Sequence, residues 1–247
     1  MNNPSQNSTN TKIPAGNQDI TQFLAGGYEK DIITTLYGPA GCGKTNFCMF
    51  ATAEQANKNN KVIFIDTEGG FSIDRFNQLL PNNNQALKNI LLLKPTNFEE
   101  QKKAFTTLSK ELKTNSNISL IIVDGMTMLY RLELSKDKDD NTIYNINKEL
   151  AHQLRTLNEI ARKKLIPIII TNQIYYTFQK EEEWREGKER TANIVGGDIL
   201  KYWSKCLIEL QNRGGRRKII LKKHRSLPEK ELQFIITNSG IRKRGLF

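Results

Sequence analysis

Residues 38–45 read GPAGCGKT, which is the complete pattern of a phosphate-binding loop. Glycine at the first and sixth positions lets backbone N–H groups curl around phosphate oxygens. Lys44 supplies a positive charge for the β- and γ-phosphates, and the Thr45 hydroxyl is suited to hold Mg²⁺. A β-branched run over residues 32–37 precedes the loop and a helical pattern over residues 46–58 follows it, as the motif requires. The sequence therefore predicts a nucleoside triphosphate site.

The predicted nucleotide contacts come from the loop and the residue after it. They are Gly38, Pro39, Ala40, Gly41, Cys42, Gly43, Lys44, Thr45 and Asn46. The chain has no Asn-Lys-x-Asp motif for reading guanine, so the expected ligand is ATP with Mg²⁺. The alternative for the pattern alone is a glycine-rich turn before an ordinary helix.

Around the loop, short apolar runs alternate with helical patterns. Strands are predicted over residues 32–37, 61–66, 90–93, 118–123 and 166–171, and helices over residues 46–58, 73–80, 99–112 and 143–163. Strands this apolar, separated by helices, predict an α/β fold with a mostly parallel sheet covered on both faces. Three later strands without intervening helices predict a C-terminal antiparallel extension, over residues 203–210, 218–222 and 232–236, with a hairpin tip at residues 213–216.

Composition limits the class of protein. A chain of 247 residues suits one substantial domain, which we expect over residues 18–247, after a disordered polar leader over residues 1–17. No apolar run is long enough to span a bilayer, so we expect no membrane association and a cytoplasmic location. The three cysteines, Cys42, Cys48 and Cys206, have no metal-type spacing and fit a reducing compartment.

Positive charge is concentrated at the C-terminal end. The net charge is +11, and residues 211–247 carry +9 of it. This asymmetry favours a basic surface for a polyanion, most simply DNA, although a solvated basic surface that aids solubility is an equal alternative on charge alone. The predicted DNA-binding residues are Arg213, Arg216, Arg217, Lys218, Arg242, Lys243 and Arg244.

Acidic and amide residues follow the predicted strands. Asp124 ends an apolar strand downstream of the loop, which is the expected place for a carboxylate on the Mg²⁺ side. Asp66 and Glu68 follow another strand, and a carboxylate there would orient water for attack on the γ-phosphate. The spacing alone does not choose between these two acids. Gln173 follows a further strand with an amide able to hydrogen-bond a phosphate.

Taken together, these strand ends closely resemble the ATPase core of the RecA/RadA recombinase superfamily. The resemblance rests on residues 38–45, 65–69, 122–125 and 171–173. Residues 32–46 and 223–229 are similar, more narrowly, to the short archaeal paralogues of RadA, and the likeness extends from about residue 13 to the end. It implies a RecA-like ATPase core. The segment before that core is expected to be too short for the helix-hairpin-helix domain of full recombinases.

The resemblance also implies roles for individual residues. Glu68 would be the catalytic carboxylate, Lys44 would act in catalysis as well as binding, and Thr45 with Asp124 would hold Mg²⁺. Gln173 would sense the γ-phosphate, and it would stand at the start of a second DNA-facing loop over residues 174–195. The acidic residues there and in a first loop over residues 131–142 disfavour strong DNA binding by either loop. For that reason the basic C-terminal residues are the preferred DNA contacts.

Lys223 and Arg225 form a separate candidate site. They alternate on a predicted strand, so their side chains share one face. The KaiC-type ATPases have a similar Lys-x-Arg pair directed at the γ-phosphate of a neighbouring subunit, and an arginine supplied in this way accelerates phosphoryl transfer strongly. The alternative is a solvated or DNA-facing pair.

The resemblance therefore implies an ATP- and DNA-binding accessory protein of homologous recombination and repair. It would have weak ATPase activity, no strand exchange of its own and weak self-association. The implied partners are DNA and a RadA-type recombinase or a junction-processing nuclease. Two alternatives remain open from the sequence, namely a filament- or ring-forming recombinase or motor ATPase, and a KaiC-like signalling ATPase without DNA function.

Overall fold

A nine-stranded sheet forms the centre of the protein in a computed structural model that describes residues 11–134, 138–176 and 192–244. Its parallel strands are β3 (Ile33–Tyr37), β4 (Lys61–Asp66), β5 (Ile90–Leu93), β6 (Ile118–Asp124), β7 (Ile168–Asn172) and β10 (Ser204–Arg213). Antiparallel pairing continues from β10 through β11 (Arg216–Lys223), β12 (Lys230–Thr237) and β13 (Gly240–Lys243). The strand order is β13-β12-β11-β10-β3-β7-β6-β4-β5. The predicted parallel sheet with an antiparallel extension is therefore confirmed.

Helices cover both faces of this sheet. The helices are α1 (Gln18–Phe23), α2 (Lys44–Asn57), α3 (Ile73–Leu79), α4 (Phe98–Thr114), α5 (Met128–Glu133), α6 (Asp140–Lys164) and α7 (Gly197–Trp203), with a 3-10 helix over Asn84–Asn89. One core lies under α1, α2 and α3 and includes Phe47, Phe64 and Phe234. A second core lies under α4 and α6 and includes Phe105 and Leu154. Burial on both faces explains why the parallel strands are almost uniformly apolar.

Local sequence signals set the ends of the longer helices. The Asn97 side chain accepts a hydrogen bond from the Glu100 backbone N–H and caps α4, and Asp139 caps α6 through the Thr142 backbone N–H. Basic residues in the last turn of α6 lie near the negative end of its dipole. That helix stops at Leu165, whose φ of 53° lies in the left-handed region.

The predicted leader extends too far along the chain. Strand β1 (Lys12–Ile13) pairs with β2 (Tyr28–Glu29), and Asn17 both caps α1 and donates a hydrogen bond to the Ile241 carbonyl at 2.7 Å. These contacts fix residues 12–17 onto the fold, because the short segment carries buried apolar groups at Ile13 and Ala15. Residues 1–10 lie outside the described residues.

Several predicted loops contain regular structure. Residues 131–133 belong to α5 and residues 140–142 to α6, so the predicted first DNA-facing loop is mostly helical where it is described. Strands β8 (Ile174–Tyr176) and β9 (Ala192–Ile194) pair at the base of the predicted second loop, whose residues 177–191 lie outside the described residues. Among the helices in the described ranges, none has the length and apolar character needed to cross a bilayer.

Candidate functional site

The phosphate-binding loop lies between β3 and α2 and packs directly on the antiparallel extension. A Cβ atom at Gly38, where φ is 156°, would lie 2.1 Å from the Leu210 carbonyl oxygen of β10. Gly43 has a φ of 111° at the N-terminus of α2, and a Cβ there would lie 3.0 Å from the Cδ1 atom of Ile236. Both positions therefore require glycine, for backbone conformation and for close approach.

Lys44 is buried at the base of this loop, with 6% of its surface exposed. Its Nζ atom donates hydrogen bonds to the Gly38 and Pro39 carbonyl oxygens, both at 3.0 Å. These bonds hold the ammonium group against the backbone of the loop. Cys42 is buried beside it, and burial raises the pKa of the Cys42 thiol, so this cysteine is a packing residue rather than a nucleophile.

Asp124, at the end of β6, is 1% exposed and is held in one orientation. Its Oδ1 atom accepts a hydrogen bond from the Thr171 hydroxyl at 2.6 Å, and that hydroxyl accepts one from the Gly125 backbone N–H at 2.7 Å. Burial raises the pKa of the Asp124 carboxyl, while the hydroxyls of Thr171 and Thr45 oppose this shift. Thr171 is a positioning residue that the sequence did not reveal.

The second oxygen of this carboxylate suits a magnesium ion. Asp124 Oδ2 is buried and has no hydrogen-bond partner within the part of the chain that the structure describes. A Cβ atom at Gly70 would lie 3.2 Å from Thr45 Oγ1 and 3.5 Å from Asp124 Oδ2, so these two oxygens face one small space. Mg²⁺ prefers oxygen ligands and is commonly bound by one or two side chains plus substrate phosphates. In the described part of the chain, no cluster of three or more histidine, cysteine or acidic residues could hold a metal alone.

The structure separates the roles of the two acids that follow β4. The Asp66 carboxylate accepts hydrogen bonds from the backbone N–H groups of Gly70 at 3.0 Å and Phe71 at 2.9 Å, so both of its oxygens stabilise the turn after the strand. Glu68 is exposed, and its Oε1 atom accepts a hydrogen bond from Gln173 Nε2 at 3.2 Å. Glu68 is therefore the acid whose carboxylate faces the loop.

Two other polar residues near the loop serve mainly to hold the structure. Asn172 is 1% exposed, and its side chain bonds the Thr127 hydroxyl and the Val195 carbonyl oxygen. Asn46 accepts a hydrogen bond from Arg75 Nε at 3.0 Å, and this arginine also donates to the Thr237 carbonyl oxygen. These bonds join α2 and α3 to the β12–β13 turn.

Many of the candidate residues line one cleft of about 240 Å³, whereas Gly38, Pro39, Cys42 and Asp124 are not part of its lining. It is lined by Ala40, Gly41, Gly43, Lys44, Thr45, Asn46, Glu68, Gln173, Arg217 and Ile236. The structure thus brings together the phosphate loop, the predicted catalytic carboxylate and the predicted γ-phosphate sensor. Arg217 also lines the cleft, whereas the sequence grouped it with the DNA-binding residues. The position of Arg217 at the cleft depends on how β11 pairs with its neighbouring strands, and no local sequence motif predicts that pairing.

Lys223 and Arg225 make contacts within their own chain. Lys223 Nζ donates to the carbonyl oxygens of Lys201 and Ser204, both at 2.9 Å. The Arg225 guanidinium donates to both Asp31 carboxylate oxygens, at 2.7 and 2.6 Å, and also pairs with Glu29. Those hydrogen bonds hold the pKa of Asp31 below its ordinary value. A role for this pair at a neighbouring subunit stays a prediction.

The other basic residues form a separate surface. Strand pairing places Arg213 opposite Arg216, and Arg242 opposite Ile235. Because side chains alternate along a strand, one face of the antiparallel extension carries a set that we call the basic face. The basic face consists of Arg213, Arg216, Lys218, Arg242 and Arg244. Lys243 lies on the opposite side, in register with Phe234 and Arg217.

Comparisons with known proteins agree with this geometry. The Rad51 family model matches residues 6–244. The chain is 41% identical over 224 residues to the DNA repair and recombination protein RadB of Methanocaldococcus jannaschii, covering 90% of this chain and 98% of that protein. It is 39% identical to the RadB protein of Methanococcus maripaludis strain C7, over 90% of this chain and 96% of that protein.

A solved structure is similar as well. The crystal structure of the RadB recombinase superposes with a TM-score of 0.73 at 31% identity, covering 93% of this chain and 98% of that one. The predicted RecA-like core is thereby confirmed. Sequence, fold and the arrangement of strand-end residues agree, and the chain belongs to the RadB proteins of the RecA/RadA recombinase superfamily.

Proposed function

We propose that this protein binds ATP with Mg²⁺ in the cleft, hydrolyses it slowly, and acts as a DNA-binding accessory protein of homologous recombination and repair. The observation that supports nucleotide binding most strongly is the meeting of Lys44, Asp124 and the Glu68–Gln173 pair around one phosphate loop. The relatives named as DNA repair and recombination proteins support the cellular role.

Each residue has a chemical role in this proposal. Backbone N–H groups of the loop and the Lys44 ammonium bind the phosphates, and the N-terminus of α2 adds its positive dipole. Thr45 and Asp124 would hold Mg²⁺, which neutralises charge that develops on the phosphates. Glu68 accepts a proton from the attacking water, and Gln173 orients that carboxylate.

The enhancement of ATP binding by Mg²⁺ is expected to become smaller as the pH falls. The metal binds the ionised Asp124 carboxyl, and its raised pKa means that protons compete at a higher pH than they do for an exposed aspartate. Titrating a fluorescent ATP analogue with and without Mg²⁺ at several pH values measures this competition. In Asp124→Asn the Mg²⁺ enhancement is expected to be small at every pH. Protonation of the nucleotide itself affects the natural chain and Asp124→Asn equally, so it cancels in the comparison. If the Mg²⁺ enhancement had the same pH profile in both proteins, Asp124 would be excluded as the magnesium ligand.

The basic face is the proposed DNA contact. Arg216 on β11 and Arg242 on β13 are exposed on one sheet surface, and Ile235 of the intervening strand β12 lies between them with 42% exposure. Clustered arginines of this kind neutralise the phosphates of a polynucleotide. The proposed protein partner is a RadA-type recombinase or a junction-processing nuclease that acts on the same DNA.

The fold connects the phosphate loop with the strands that carry the basic face. The phosphate loop contacts β10 at Leu210 and β12 at Ile236, so a change in the loop acts directly on the antiparallel strands. Strand β11 carries Arg217 toward the cleft and Arg216 toward the basic face. Nucleotide occupancy is therefore proposed to control DNA binding.

Charge reversal tests the basic face. In the double variant Arg216→Glu, Arg242→Glu, affinity for a forked DNA is expected to fall at least about tenfold. The slope of log affinity against log salt concentration is expected to become shallower by the amount that corresponds to about two lost phosphate contacts. Fluorescence anisotropy over a salt series measures both quantities. The matched control is Lys103→Glu, Lys110→Glu on α4, which changes the net charge equally at exposed positions. Equal losses in the two double variants would contradict a specific basic face.

A further inference from the structure

Arg217 occupies an unusual position for a residue of a basic hairpin. Its register partners are Asn212 on β10 and Phe234 on β12, and Phe234 is fully buried in the core under α2. Ile219, two residues further along β11, lies in the same core. Alternation along the strand therefore directs Arg217 to the side of the phosphate loop, and Arg216 to the opposite side.

The Arg217 side chain is partly buried, and one of its donors is left unpaired. Its Nε atom is buried and has no hydrogen-bond partner among the described residues, and the same holds for the Oδ1 atom of the adjacent Asn212. Glu68 lines the same cleft, and among the ion pairs of the described residues none joins it to Arg217. Guanidinium groups stay charged and carry five N–H donors, and buried donors of this kind are normally paired.

The cleft points to the kind of partner that would satisfy these donors. Arg217 faces a loop whose backbone and Lys44 are arranged for phosphate oxygens. A guanidinium pairs with phosphate through short, charge-assisted and frequently bidentate hydrogen bonds. An anion bound at the loop would present acceptor oxygens on the side that Arg217 lines.

We propose that Arg217 is a nucleotide-binding residue that contacts the phosphates of the ATP bound by its own chain. This inference rests on the proposed function of the cleft. Arg217 is thereby assigned to the nucleotide site rather than to the DNA surface, and β11 carries one arginine for each ligand. The matched control is Arg155 on α6, whose side chain is 69% exposed and belongs neither to the cleft nor to the basic face.

Titration calorimetry with Mg²⁺ and a non-hydrolysable ATP analogue tests the assignment. Arg217→Gln is expected to bind about tenfold more weakly than the natural chain, because it loses a charge-assisted contact, and Arg155→Gln is expected to bind within about twofold. Equal affinities of Arg217→Gln and the natural chain would overturn the inference. Failure of the natural chain itself to bind would instead contradict the proposed function.

A second measurement uses the natural chain and does not depend on how the variant folds. An arginine-specific dicarbonyl reagent is applied with and without saturating ATP analogue and Mg²⁺, and mass spectrometry gives the modification rate at each arginine. ATP is expected to lower the rate at Arg217 severalfold and to leave Arg216 unchanged. An unchanged rate at Arg217 in nucleotide-saturated protein would overturn the inference.

Discussion

Replacing Lys44 with alanine is expected to weaken ATP binding by at least about a hundredfold. The Lys44 ammonium is the one cation buried at the base of the loop among the described residues, where water screens its charge poorly. Two charge-assisted hydrogen bonds to phosphate at about 1.5 kcal/mol each amount to about 3 kcal/mol, which corresponds to about a hundredfold in Kd. Titration calorimetry with an ATP analogue measures the loss directly.

The control for Lys44 lies just after the C-terminal end of the same helix. Lys58 follows α2, is half exposed and pairs with Glu54. Lys58→Ala removes the same charge and side chain without touching the loop, so its ATP affinity is expected to match that of the natural chain. If Lys44→Ala folded normally and bound ATP as tightly as Lys58→Ala, the loop would not be the nucleotide site.

Glu68→Gln is expected to slow ATP hydrolysis by about a hundredfold or more while ATP affinity changes little. The amide keeps the size and the hydrogen-bonding capacity of the side chain toward Gln173, but it cannot accept a proton from water. General-base catalysis contributes about 10² to 10⁴ in rate, so the loss appears in turnover rather than in binding. Single-turnover measurements with excess protein resolve even a slow reaction.

An exposed acid away from the cleft is the matched control for this variant. Glu99 lies in the first turn of α4 with 71% of its side chain exposed, and Glu99→Gln is expected to hydrolyse ATP at the natural rate. Hydrolysis by Glu68→Gln at the natural rate would remove Glu68 from the catalytic role. Asp66 is not a substitute, because its oxygens are bonded to the backbone of the turn.

Features encoded over short distances in the sequence were predicted well. The phosphate loop needs only eight consecutive residues between a strand and a helix, and the apolar runs of β4 and β6 are too continuous for any other element. Asp124 was predictable because parallel strands end at one edge of a sheet. Spacing alone did not choose between Asp66 and Glu68, because the difference depends on which backbone amides the turn after β4 presents to a carboxylate. The family resemblance implied Glu68, and its catalytic role stays a prediction.

Features that depend on strand register could not be predicted from the sequence. Arg216 and Arg217 are adjacent letters in a basic run, yet pairing with β10 and β12 sends them to opposite sides of the sheet. Thr171 orients Asp124 from a strand far away in the chain, so no local pattern marks it. The sequence did not predict that residues 12–17 are ordered, because their structure depends on contacts with β2 and Ile241 and not on local composition.

The central claim is that nucleotide binding at the loop controls DNA binding at the basic face. Its most direct test is the affinity of the natural chain for forked DNA, measured at one ionic strength without nucleotide and with Mg²⁺ and a non-hydrolysable ATP analogue. We predict at least about fivefold tighter binding with the nucleotide, a coupling at the lower end of those found between linked sites, and no change in Lys44→Ala. Equal affinities of the natural chain in the two conditions would contradict the claim.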